Sequence, residues 1–191
     1  MDIKKEIKDK YRILGIAFIL TALSLEIFKG IFEWCREGLS FQEAGYLFFV
    51  IILVGGLAIT LFRKNIKAAS FLLACLKIFD SVFYSQIFFK KLDDGCGNNF
   101  ELTVVILFGI SAFVLFLSFI FFMIETLKNL SWAQQSVELC LIVASALMLV
   151  AGIIAFVYHI KLGAHWINIF EPFTCSILFI GFCFCCKYID E

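Results

Sequence analysis

Six stretches of mainly apolar residues follow one another along the chain. Each is about as long as the ~20 residues an α-helix needs to cross the hydrocarbon core of a bilayer. Ala44–Phe62, Leu102–Ile124 and Leu139–Tyr158 contain no charged residue. The other three are interrupted. Ile13–Trp34 holds Glu26, Lys29 and Glu33, Ala68–Phe89 holds Lys77 and Asp80 near its middle, and Trp166–Cys186 holds Glu171 followed by Pro172. None alternates apolar and polar residues as a membrane β-strand does. Backbone polar groups in lipid must be satisfied within their own segment, which favours helices. The pattern predicts an all-α, polytopic membrane bundle of six transmembrane helices over 13–34, 44–62, 68–89, 102–124, 139–158 and 166–186, forming one integral membrane domain over 1–191. A four-helix layout, with the first and third segments lying in the interface, is the alternative.

Composition strengthens this reading. Apolar residues make up 62% of the chain and charged residues 17%, with 25 phenylalanines among 191 residues. Soluble domains run at roughly 45–50% apolar and about 25% charged. The implied solvent is lipid, so the bilayer is the first partner and the location is a membrane, crossed several times. Sixteen basic residues balance sixteen acidic ones. No basic excess is left to neutralise phosphates, and nucleic acid is not expected as a partner. The basic start followed by an apolar run resembles a signal peptide, but no small-residue cleavage site ends it, and Glu26 and Lys29 stand where one would fall. The segment is read as a retained first helix.

Lys and Arg near helix ends set orientation. The basic start (Lys4, Lys5, Lys8, Lys10, Arg12) and the turn Arg63-Lys64-Asn65-Ile66-Lys67 outweigh Arg36, Lys90, Lys91 and Lys161 on the opposite side. Both termini are therefore expected in the cytoplasm. The longest outer connection, Lys90 to Phe100, is rich in Gly, Asp and Asn and reads as a flexible link.

The candidate chemistry lies in the charges. An ionisable side chain at membrane depth costs at least about 2.5–3.5 kcal/mol on insertion scales. Glu26 and Lys29 are three apart and share a helix face, as do Lys77 and Asp80. The opposite charge order on two helices of the same direction predicts Glu26 against Lys77 and Lys29 against Asp80. These four, with Glu171, are the candidate substrate or ion path; the alternative is a neutralising lattice that only fixes helix register. Pro172 is expected in the first turn of its helix, where proline is tolerated, with Glu171 favoured by the positive helix end.

His159 and His165 are too few and too widely spaced for a zinc site, and no metal or other cofactor is expected. Of eight cysteines, Cys35 and Cys96 fall in outer loops and are candidate disulfide partners. Cys183, Cys185 and Cys186 end the last helix, a placement that suits lipid modification or packing. Small residues such as Gly55, Gly109, Ala144, Ala151 and Ala155 mark close helix contacts, within the chain or toward a protein partner or second copy. No nucleophile, acid–base pair or metal set assembles, so an enzyme is not expected. Two functional classes fit: a transporter or pore using the charges of helices one and three, and a non-catalytic accessory or regulatory subunit of a larger complex.

Overall fold

The computed structural model describes residues 3–37, 41–95, 99–128, 131–162 and 167–190. It contains six helices, α1 (Ile3–Glu37), α2 (Phe41–Phe62), α3 (Ile66–Asp94), α4 (Asn99–Lys128), α5 (Ser131–Leu162) and α6 (Ile167–Asp190), and no strand among the described residues. Five of the six, all but α3, are long and apolar enough to cross a membrane.

The helices outrun the apolar stretches that predict them. α1 begins at Ile3, ten residues before Ile13. A helix can continue beyond the hydrocarbon when its end is amphipathic, and ion pairs Glu6–Lys10 (3.4 Å) and Asp9–Arg12 (3.1 Å) lace that end. The expected flexible link after Lys90 is mostly helix: α3 continues to Asp94, Gly95 ends it with φ 79°, and α4 starts at Asn99. Between α2 and α3 the turn is tight. Lys64 takes φ 55°, and the Asn65 side chain caps α3 by accepting from the Ala68 amide (3.2 Å).

Short links make successive helices neighbours, and the order α1 to α6 closes into a ring in which α1 also packs on α6. α3 and α6 touch across the middle. The result is two rows of three, α1–α6–α5 over α2–α3–α4. α3 and α6 divide the interior into a first compartment, walled by α1, α2, α3 and α6, and a second, walled by α3, α4, α5 and α6. The second is bounded by the extensive α4–α5, α5–α6 and α3–α4 interfaces, whereas α2 contacts α1 and α3 more sparsely.

Close approach of α1 and α6 depends on two glycines. A Cβ on Gly181 would lie 2.7 Å from Ile19 Cγ2 and 3.1 Å from the Ile19 backbone nitrogen. One on Gly15 would lie 2.9 Å from Cys185 Sγ. Any larger residue would force the two backbones apart. The N-terminal end of α1 and the C-terminal end of α6 lie together, with Lys8 5.6 Å from the Tyr188 ring centroid and Lys187 5.7 Å from that of Tyr11. This is called the proximal end below, and the opposite one the distal end.

Of the anticipated small residues, Ala144, Ala151 and Ala155 are buried inside the chain. Gly55 stands apart, with nothing near where a Cβ would be.

Candidate functional site

The charged residues singled out from the sequence do enter the bundle, but with other partners than expected. Lys29 Nζ lies 3.3 Å from Glu171 Oε2, joining α1 to α6 in place of the predicted Lys29–Asp80 pair. Lys77 Nζ donates to Cys186 Sγ at 3.3 Å and sits 4.2 Å from the Phe122 ring centroid, in place of the predicted pair with Glu26. The physical reason is the ring order: α1 packs on α2 and α6, and α3 is not its direct neighbour.

Asp80 lies fourteen residues from either end of α3, about 21 Å at 1.5 Å per residue. It is fully buried, and neither carboxylate oxygen has a hydrogen-bond partner among the described residues. Helical spacing then assembles the first compartment around it. Tyr84, one turn further along α3, shares a hydrogen bond with Cys175 of α6 (O···S 2.8 Å). Glu171 stands one turn distal to Cys175 on α6, and Glu26 one turn proximal to Lys29 on α1. The Glu26 carboxylate is in electrostatic reach of Asp80. α2 contributes Tyr46, whose ring stacks on Phe83 (centroids 3.7 Å) and Phe79 (5.8 Å) and also feels both carboxylates.

Exposure falls along this set. The Glu171 and Lys29 side chains are 24% and 17% exposed, Glu26 is 8% exposed and Asp80 0%. The compartment thus runs from a half-wet ion pair near the distal end to a dry carboxylate at mid-helix.

Lys77, three residues before Asp80, belongs to the second compartment. The Cα–Cβ bonds of a helix tilt toward its N-terminus, and a long lysine stem carries the charge further that way. The ammonium therefore reaches the proximal end of α4 and α6, away from the acid one turn along the same helix. Its surroundings are soft, a thiol and an aromatic face; among the described residues it makes no ion pair. The walls there are tied by neutral hydrogen bonds. Ser81 donates to the Ala112 carbonyl (2.9 Å), and Ser145 meets both the carbonyl (3.0 Å) and the hydroxyl (2.9 Å) of Ser176.

Pro172 is the sixth residue of α6, inside the helix rather than in its first turn, and is buried. It removes the donor that would bond the carbonyl four residues back. Cys35 is exposed and carries a free thiol, and Cys96, its proposed disulfide partner, lies outside the described residues, as does His165. Cys183, Cys185 and Cys186 are buried, which fits packing better than lipid attachment. No group of three or more His, Cys, Asp or Glu suited to a metal occurs among the described residues. Sequence reasoning missed Tyr46, Tyr84, Cys175 and Cys186. Only Tyr84 carried a signal, its four-residue spacing from Asp80.

The fold and the charged interior together describe a helical bundle of the multi-pass membrane type. No protein-family model, curated protein or solved structure matches the chain.

Proposed function

We propose that the chain is a six-crossing membrane transport protein, with the proximal end of the α1–α6 pair in the cytoplasm, and that a cation or proton binds at Asp80 in the first compartment. The observation that carries this reading is the Asp80 carboxylate itself, dry, at mid-helix and without a hydrogen-bond partner among the described residues. An ionisable group at such depth is costly and is retained where it handles charge. Glu26, Tyr46, Tyr84 and Cys175 give it polar company, and the Lys29–Glu171 pair stands at the distal mouth.

Six crossings, rather than the five judged apolar enough, are supported by α3 lying between α2 and α4 as a full member of its row. The shared proximal end of α1 and α6 also requires an even number of passes. The cytoplasmic assignment of that end follows the basic residues gathered there.

Purified protein in liposomes, with a pH-sensitive dye inside and defined gradients of protons, sodium or potassium, tests the reading. Flux is expected in the wild type, with at least a hundred-fold loss in Asp80→Asn. Equal flux in both proteins would remove the proposal. Absent flux together with co-purification of a larger membrane complex would favour an accessory subunit.

A further inference from the structure

The ligand of the first compartment can be narrowed by asking what fits at Asp80. A metal ion needs several oxygen ligands, six to eight for calcium and a full octahedron for magnesium. No acidic or soft-ligand cluster of three or more occurs among the described residues, and the Asp80 oxygens have essentially no accessible surface. A hydrated ion has no access to them, and an organic cation would require the Tyr46–Phe83 stack, with centroids at 3.7 Å, to part. A proton needs no space.

The groups facing Asp80 leave it the natural ligand. α1 presents Glu26, α2 presents Tyr46, and α6 presents Cys175 with Glu171 beyond it. α3 itself adds Tyr84, while its Lys77 is turned into the other compartment against Cys186 and Phe122. α4, bonded to α3 through Ser81 and the Ala112 carbonyl, adds the buried hydroxyls of Ser111 and Ser118; Glu125 stands toward its proximal end and Glu101 at its distal end, paired with Lys91 (3.7 Å). Two carboxylates thus lie in reach of each other, and the one positive group on the same stretch of α3 faces away. A carboxylate in a dry site with no donor among the described residues is disfavoured as an anion, the more so with a second carboxylate in reach, and a proton removes the charge.

We infer that the Asp80 site, set against Glu26, is a proton-binding site, filled from the distal end past Lys29 and Glu171. This rests on the transport reading for its purpose, but its test does not. Infrared spectra of the purified chain in lipid nanodiscs at neutral pH should show the carbonyl stretch of a protonated carboxyl group, shifted by deuterium exchange. Asp80→Asn should lose that band, and Asp93→Asn, at an exposed position of α3, should keep it. Glu26→Gln, which leaves Asp80 in place, should keep the band at a displaced frequency and serves if Asp80→Asn does not fold. High sodium, potassium or calcium should leave the band unchanged.

Absence of the band in the wild type, its survival in Asp80→Asn, its loss in Glu26→Gln, or its removal by one of these cations would each overturn the inference. A band without flux would sink the transport reading and leave the proton site standing; flux without a band would do the reverse.

Discussion

The two compartments of this bundle share walls, α3 and α6, yet handle buried charge in opposite ways. In the first, acid predominates: Glu26 and Asp80 lie inward of the Lys29–Glu171 pair, and the α2 wall is sparsely packed. In the second, Lys77 is held by a thiol and a ring between the extensively packed α4, α5 and α6, with the half-buried Glu125 further toward the proximal end of α4. A charge whose solvation is replaced by local donors and π faces behind tight walls is a structural element. A charge left without donors beside a looser wall is one whose state can change. Three residues of one helix separate the two cases.

The sharpest way to break this contrast is to give the second compartment the problem of the first. Lys77→Glu would bury a carboxylate against Cys186 and Phe122, neither of which stabilises negative charge, and should cost about 3–5 kcal/mol. Loss of folded protein in thermal unfolding in detergent is the expected result. Lys77→Met, which keeps the stem and removes the charge, should stay folded and keep flux. Similar behaviour of the two variants would remove the distinction between compartments.

A smaller effect is expected at the α1–α6 seam that both rows depend on. Gly181→Leu would press against Ile19 and Phe18 and destabilise by about 1–3 kcal/mol, as overpacking does. The same substitution at Gly55, where nothing lies near, should be close to neutral. The smallest effect should come from the second compartment's neutral ties. Ser145→Ala removes the link to Ser176 and should cost about 0.6 kcal/mol, the average for interhelical hydrogen bonds in membranes. A value several times larger would mean that these bonds, rather than packing, hold α5 to α6.

The apolar runs made the helices legible, because a bilayer imposes a length that hydropathy records directly. Their ends were less so. The N-terminal turns of α1 and the last turns of α3 are polar, and a polar helical turn reads like a link until its ion pairs are placed. Which residues would be buried was legible for Glu26, Lys77 and Asp80, since charges inside apolar runs must turn inward. Their partners were not. Lys29 meets Glu171 across 142 residues of sequence, a contact fixed by the ring order of helices. A cysteine at the end of α6 gave no hint that it would accept from a lysine mid-way along α3. Polar groups can share a face and still diverge when one carries a four-carbon stem.

The glycine seam has one more consequence. Because Gly15 and Gly181 let α1 and α6 approach closely, those two helices form one continuous seam of the bundle. α2 is fastened near its proximal end, where Arg12 bonds the Leu61 carbonyl (3.4 Å) and Lys64 of the following turn meets Asp9 (3.4 Å). Toward its distal end it packs through the Tyr46 ring stack and through Leu47 against Gly30. α2 is therefore pinned by polar contacts at the proximal end and by ring and leucine packing toward the distal one.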